Sequence, residues 1–364
     1  MRLSPTLSYY FGRQYLQGLA MVFGLLLFLA FTFDFIELLR RAGNRNDIGL
    51  GILLQMALFK LPSLAIKLLP FAMLFGGMLT LTRLTRTNEL AVTRAAGVSA
   101  WQFLAPTLII ALGIGLFTMT VFNPLSASLL SRAEQMDSKL MRGRTSSLAV
   151  SSTGLWLREA DAEGQVVIHA LRVSRQGVEL SDAIMLFYEG NDRFVRRIDA
   201  RSARLADGRW EMDNVLITGP EQPAATHAHY SISTTLTFAR INESFASPET
   251  LSFWALPGFI ATLENAGFSA LRHRLYFQSV LAEPMLLCAM VLIAATFSLR
   301  LTRRGGTGLL LVGGVFVGFV LYFFSELVLA AGQSGAVPVP LAAWSPAGVS
   351  TLLGLATLFH LEDG

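Results

Sequence analysis

Several charged side chains lie inside long apolar stretches of this sequence, and they are the candidates for ligand binding or catalysis. Asp34, Lys60, Lys67, Glu283 and Glu326 each lie in such a stretch. Charges inside a membrane are costly and usually face a cavity or one another, although a long side chain can also snorkel to the interface. Because the acids are scattered singly, the pattern favours binding of a charged headgroup over covalent catalysis.

The sequence carries none of the motifs that hold a nucleotide or a catalytic metal. It has no G-x-x-x-x-G-K-[ST] loop and no H-E-x-x-H pair. Its single cysteine, Cys288, excludes a disulfide framework, and His227 and His229 share a strand face without an evident third ligand. We therefore expect no catalytic residue, metal site or cofactor, so that any energy-consuming task needs an ATPase or an ion gradient from elsewhere.

The composition indicates a membrane protein. The 364 residues are 53% hydrophobic and 15% charged, with a mean hydropathy of +0.52, whereas a soluble domain is about 25% charged. More than half of the charged residues fall between positions 132 and 274. A membrane span needs about 20 apolar residues. Six spans are predicted, at roughly 14–35, 52–82, 101–122, 276–299, 306–330 and 342–360.

Basic loops set the predicted orientation, because short loops rich in arginine and lysine stay in the cytoplasm. Such loops follow the second and fourth predicted spans. Their arginines are Arg83, Arg86, Arg94, Arg300, Arg303 and Arg304. We therefore expect a bacterial inner-membrane protein with both termini in the cytoplasm and the charged insert outside.

Three arginines after the first span break this rule, since Arg40, Arg41 and Arg45 fall on the predicted outer side. An anionic ligand is the simplest group to offset them, and a guanidinium can bind two phosphate oxygens at once. The alternative is that they pair with Glu37 and Asp47 at the surface, which contributes little.

The charged insert predicts an all-β domain. Alternating and β-branched runs such as Val178–Tyr188 and Arg209–Ile217 are separated by glycine-containing turns, which is typical of a sandwich or jelly roll. The arginines of Arg193–Arg204 are mixed with acidic residues, which is typical of a solvated strand face and argues against nucleic-acid binding. The flanks 125–142 and 257–271 have a helical pattern.

Residues 83–100 predict a short amphipathic helix at the cytoplasmic surface. Arg83, Arg86 and Glu89 recur at helical spacing, Leu90 adds apolar surface, and Gly97 is a helix stop. Such a helix either rests on lipid or inserts into a groove of a cytoplasmic partner, and its pattern fits both.

The segment NELAVTRAAGVS, residues 88–99, closely resembles the coupling helix of the lipopolysaccharide export permeases, the LptF/LptG family. LPFAMLFGG, residues 69–77, resembles the second span of that family, and Glu283-Pro284 resembles the fourth span more weakly. The layout of three spans, a β domain and three spans matches along nearly the whole chain. Residues 40–43 and 154–156 favour the LptG branch over LptF.

This resemblance implies the membrane subunit of an ABC exporter and no enzyme activity in this chain. Transmembrane helices would occupy 1–123 and 272–364, with the coupling helix at about 83–100 and a periplasmic β-jellyroll-like domain over 124–271. Lipopolysaccharide would be extracted from the outer leaflet of the inner membrane and passed to a periplasmic bridge. The implied partners are an LptF-type permease subunit, a dimeric LptB-type ATPase, an LptC-type membrane-anchored subunit and an LptA-type bridge.

Two sets of candidate site residues follow. By match to the motif, Glu89 would sit in the ATPase groove, and the ATPase-coupling residues are Arg83, Arg86, Glu89, Leu90, Arg94 and Gly97. The predicted headgroup-binding residues are Asp34, Glu37, Arg40, Arg41, Lys60, Lys67 and Glu283.

Other classes fit less well. A lipoprotein-release type permease usually has four spans. A membrane receptor with a periplasmic sensing domain predicts a cytoplasmic signalling domain, which is not evident in the sequence, and an intramembrane enzyme needs a paired catalytic constellation in the spans.

Overall fold

The apolar segments fold as long α-helices in the computed structural model. The structure describes residues 5–43, 49–138, 147–151, 154–160, 164–173, 179–189, 193–206, 208–220, 222–234, 247–265, 269–299 and 307–363. Within these ranges six helices are long and apolar enough to cross a membrane, which confirms the predicted number of spans. The chain separates into two compact units, one of Met1–Ala133, Ser252–Trp254 and Arg274–Gly364, the other of Glu134–Leu251 and Ala255–His273.

The helices that lie wholly or mostly in the first unit extend beyond the predicted apolar cores at most of their ends. They are α1 (Pro5–Ala42), α2 (Leu50–Arg86), α3 (Glu89–Ala95), α4 (Ala100–Phe117), α5 (Asn123–Asp137), α7 (Leu271–Ser298), α8 (Thr307–Gln333) and α9 (Val339–Asp363). A π-helical turn at Thr118–Phe122 joins α4 to α5 without a break. Pro62 and Pro70 both lie inside α2.

Small residues let these helices approach closely, as expected where packing rather than water drives association. A Cβ added at Gly76 of α2 would lie 2.8 Å from the Cα of Leu19 on α1. A Cβ at Gly115 of α4 would lie 2.6 Å from the Cα of Pro284 on α7. At these two crossings the helices therefore meet backbone against backbone.

The second unit is a seven-stranded antiparallel sheet in which each strand pairs with the next along the chain. Its strands are β1 (Ser147–Ser151), β2 (Gly154–Ala160), β3 (Gly164–Val173), β4 (Glu179–Glu189), β5 (Arg193–Ala206), β6 (Arg209–Gly219) and β7 (Gln222–Ser233). The antiparallel β insert predicted from the sequence is confirmed. A jelly roll also needs crossover connections, and the described strand pairings contain only neighbours in sequence, so the jelly roll stays a prediction.

One face of the sheet forms an apolar core. Ile168, Met185 and Ile198 align across β3, β4 and β5, and each is at most 1% exposed. The short helix α6 (Leu256–Asn265) packs against this face through Leu263. The alternation of buried and exposed positions along β5 and β6 follows from the two-residue period of a strand.

Candidate functional site

Two of the predicted headgroup residues form an ion pair between α1 and α2. The Nζ of Lys60 lies 3.7 Å from Oδ1 of Asp34, and the two side chains are 22% and 23% exposed. The other carboxylate oxygen, Oδ2 of Asp34, is buried and has no hydrogen-bond partner among the described residues. Since a buried charge is costly without a partner, Lys60 is the group that stabilises this carboxylate.

The C-terminal end of α1 carries a second group of charges, centred on Glu37. Arg40 donates to both carboxylate oxygens of Glu37, at 2.8 and 3.0 Å, and Arg41 donates to Oε1 at 2.8 Å. The side chains of Arg40 and Arg41 are nevertheless 77% and 52% exposed. The pairing with Glu37 that the sequence suggested is therefore present, and the trio keeps one net positive charge. Arg45 and Asp47 lie outside the described residues.

Lys67 lies two helical turns beyond Lys60 on α2 and is close to α8. The Tyr322 hydroxyl on α8 interacts with Glu326 and lies within electrostatic range of Lys67. The ring of Tyr322 also packs against Phe71, with centroids 5.3 Å apart. Lys67 therefore lies near the aromatic ring of Tyr322, a neighbour that no spacing pattern in the sequence predicts.

Glu283 occupies a different position, on α7 next to Pro284. Pro284 is the residue that meets Gly115 of α4 at the close crossing. The carboxylate therefore lies beside a tight helix–helix contact, whereas the Asp34–Lys60 pair joins α1 to α2.

The segment predicted as one amphipathic helix is divided into two elements. Arg83 and Arg86 belong to the last turn of α2, and α3 begins only at Glu89. Asn88 between them has φ 59°, a left-handed conformation that interrupts a helix. Gly97, with φ +84°, follows the end of α3, where glycine is the favoured residue.

One side chain anchors α3 in the helical unit. Leu90 is 4% exposed and belongs to a buried cluster with Phe11 of α1, Leu84 of α2 and Phe103 of α4. On the opposite side of α3, Val92 is 68% exposed. The helix therefore has one packed face and one open face, which is the arrangement that a docking helix requires.

The carboxylate of Glu89 is held from two sides. Tyr10 of α1 donates to Oε2 at 2.7 Å, and Thr87 donates to Oε1 at 2.8 Å. Tyr10 was not predicted as a partner of Glu89, because 79 positions separate the two residues and no spacing pattern links them.

In the sheet unit, a groove of about 470 Å³ lies at the ends of β4–β7. Its apolar wall includes Ile217, and Arg196 stacks on Phe187 with its guanidinium carbon 4.6 Å from the ring centroid. Arg197, the next residue of β5, does not line the groove, and the Asp199 carboxylate beside it raises the pKa of this guanidinium above its usual range. The groove thus combines apolar surface with two arginines, Arg193 and Arg196, and one carboxylate, Glu189.

The histidines of β7 make local contacts. Nδ1 of His229 lies 2.6 Å from Oδ1 of Asp213, and His227 packs beside Tyr230. Within the described part of the chain no three potential metal ligands cluster together.

Comparison with known proteins gives one consistent answer. The family model for "Lipopolysaccharide export system permease LptF/LptG" matches residues 9–360. The chain is 24% identical to the lipopolysaccharide export system permease protein LptG of Escherichia coli (strain K12) over 328 residues, which cover 88% of this chain and 89% of that protein. It is 23% identical to the LptG protein of Haemophilus influenzae over 338 residues, or 91% of each chain.

Proposed function

The chain belongs to the lipopolysaccharide export permease family LptF/LptG, and we propose that it is the LptG-type membrane subunit of an ABC exporter that moves lipopolysaccharide out of the inner membrane. The observation that carries this proposal is the family match over residues 9–360, which includes both sets of helices and the sheet. The six apolar helices supply the membrane part that a permease needs.

The cargo headgroup would be met by the charges at the outer end of α1 and on the facing part of α2. Arg40 and Arg41 keep most of their surface exposed although both contact Glu37. A guanidinium that shares its donors between a carboxylate and a phosphate is well suited to an anionic headgroup. Lys60 and Lys67 are the two lysines of α2 that we assign to the same headgroup site. The charge of Lys60 is balanced by Asp34.

ATP hydrolysis would take place on a separate, LptB-type ATPase chain. The open face of α3, with Val92 exposed, is the surface we assign to that contact. Leu90 fixes α3 to the helical bundle, so force applied to α3 reaches the membrane helices rather than bending a loop. An LptF-type permease chain would form a lipid-binding cavity together with this chain, with an LptC-type subunit beside it.

The sheet unit would lie in the periplasm, with both chain termini in the cytoplasm. The groove beside Arg196 supplies a surface for lipid with an anionic headgroup, because it is open and is lined by apolar and charged side chains. Lipopolysaccharide pushed out of the membrane would pass along this groove to an LptA-type bridge, and the jellyroll-like arrangement of this unit is part of the same proposal.

Photocrosslinking tests the assignment of cargo and headgroup site. A photoreactive amino acid replaces Ile36, which is 54% exposed on α1, in the assembled complex in membranes that contain lipopolysaccharide. We expect a lipopolysaccharide adduct that is lost when Arg40→Glu and Arg41→Glu are combined. Arg13→Glu, near the other end of the same helix, is the matched control and should retain the adduct.

Two results would count against the assignment. Full crosslinking in a well-assembled double variant would remove the headgroup role from Arg40 and Arg41. Crosslinking to phospholipid but never to lipopolysaccharide would contradict the proposed cargo.

A further inference from the structure

The hydrogen bonds of Glu89 point to a connection between α3 and α1. One carboxylate oxygen accepts from Thr87, which precedes α3 in the same turn, and the other accepts from Tyr10 on α1. The Thr87 contact is local, whereas the Tyr10 contact joins two separate helices. A hydrogen bond to a carboxylate is among the stronger ones in proteins.

Without Tyr10, α3 would have fewer constraints on its orientation. The left-handed Asn88 separates α3 from α2, so α2 does not continue rigidly into it. Leu90 holds one point of α3 in the buried cluster and acts as a pivot. The Arg94 guanidinium also lies over the Phe103 ring of α4, 6.0 Å from its centroid. The Tyr10–Glu89 hydrogen bond adds a contact to a third helix, α1, and so restricts rotations of α3 about Leu90 that the other contacts allow.

The helix that bears Tyr10 is suited to transmit a displacement. It runs from Pro5 to Ala42 and contains no proline after its first residue. Tyr10 and Arg41 are therefore separated by about 46 Å of continuous helix. Only 6% of the most apolar stretch of α1 is buried in the chain, and its close contact within the chain is the crossing with α2 at Leu19. By contrast, α2 contains Pro62 and Pro70.

We propose that Tyr10 is a positioning residue that ties the ATPase-docking helix α3 to α1, so that movement of α3 reaches the charged end of α1. This inference rests on the proposed function. It assigns Glu89 an internal partner in addition to any contact with the ATPase. The far end of the same helix carries Glu37, Arg40 and Arg41, so one rigid element joins the energy-input side to the headgroup site.

Tyr10→Phe tests the tie, because it removes only the hydroxyl and keeps the ring that packs edge-on against Phe11. Tyr9→Phe is the matched control, since Tyr9 is the neighbouring tyrosine and is 71% exposed. The complete complex with its partner permease chain and ATPase is reconstituted in proteoliposomes, and lipopolysaccharide released per ATP hydrolysed is measured. We expect Tyr10→Phe to lower this ratio by about fivefold, the effect of losing about 1 kcal/mol of coupling.

Control measurements separate coupling from folding and docking. ATPase recovery and the basal hydrolysis rate should stay within about twofold of wild type for both variants. That window is narrower than the expected change of about fivefold in the release ratio. A Tyr10→Phe complex with the wild-type release ratio overturns the proposal. Loss of ATPase recovery in Tyr10→Phe also overturns it, because the hydroxyl would then act in docking.

A distance measurement tests the tie independently of transport. Spin labels are placed at Val92 on α3 and Met21 on α1, both largely exposed, and the distance is measured before the ATPase is added, because Val92 lies on the face assigned to that partner. The distance distribution should be narrow in wild type and broader in Tyr10→Phe. Equal distributions in the two complexes contradict the proposal. Since this readout needs no lipid movement, it remains decisive even if the wild-type complex releases no lipopolysaccharide and the proposed function fails.

Discussion

Gly76→Ala should destabilise the helical unit by forcing α1 and α2 apart. The added Cβ would lie 2.8 Å from the Cα and 3.1 Å from the backbone nitrogen of Leu19. Carbon atoms in contact are about 3.5–4.0 Å apart, so the helices must separate by roughly 0.7 Å or more. Because both colliding atoms belong to the backbone, no side chain can rotate away. Overpacking of this kind typically costs about 1–3 kcal/mol.

The free energy of unfolding, measured by denaturant titration of the purified chain in detergent, is the quantity to compare. Gly24→Ala is the matched control, because no described atom lies within 4 Å of the Cβ that it would add. It should be neutral or slightly stabilising, since alanine favours helix more than glycine does. A Gly76→Ala chain as stable as wild type, or equal losses in both variants, would refute the close crossing as a source of stability.

Three further outcomes follow from the site. Glu89→Lys should lower the amount of ATPase that co-purifies with the complex while leaving membrane insertion unchanged, and normal ATPase recovery would remove Glu89 from the coupling surface. Lys60→Met should lower the unfolding free energy by about 1–3 kcal/mol, because it leaves the Asp34 carboxylate without its ion-pair partner. Adding Asp34→Asn should restore part of the loss, and a double variant with no recovery would contradict the pairing. In a variant without the native cysteine, an impermeant thiol reagent applied from the periplasmic side should label a cysteine at Thr226 and not one at Val92, and the reverse pattern would overturn the proposed orientation.

The membrane helices were predictable because a single physical property specifies them. An apolar run of sufficient length is unambiguous in sequence, and all six predicted spans correspond to helices of the structure. Their ends were less predictable. Residues 5–13 of α1 carry polar groups and fall outside the apolar run, yet they continue the helix. Helix formation there depends on propagation from the apolar core, which hydropathy does not report.

The division of the predicted cytoplasmic helix depends on one backbone conformation. Asn88 adopts φ 59°, and asparagine is one of the few residues other than glycine that tolerates this region. The amphipathic spacing of Arg83, Arg86 and Glu89 suggested one continuous helix, because side-chain periodicity does not reveal a single left-handed residue.

The partners of the charged residues could be predicted only where they are close in sequence. Arg40 and Arg41 reach Glu37 across one helical turn, a spacing that the sequence displays. Lys60 meets Asp34, and Tyr10 meets Glu89, through the packing of separate helices. Such contacts depend on how α1 crosses its neighbours, which no local pattern encodes.

ATP-dependent transfer of lipopolysaccharide tests the proposed function in a single assay. The chain is reconstituted with an LptF-type permease, the ATPase and an LptC-type subunit in proteoliposomes loaded with lipopolysaccharide, and cargo transferred to a soluble LptA-type bridge is measured over time. We predict transfer that requires both ATP and this chain and that does not occur with phospholipid as cargo. A complex that hydrolyses ATP but transfers no lipopolysaccharide, or that transfers phospholipid equally well, would contradict the assignment.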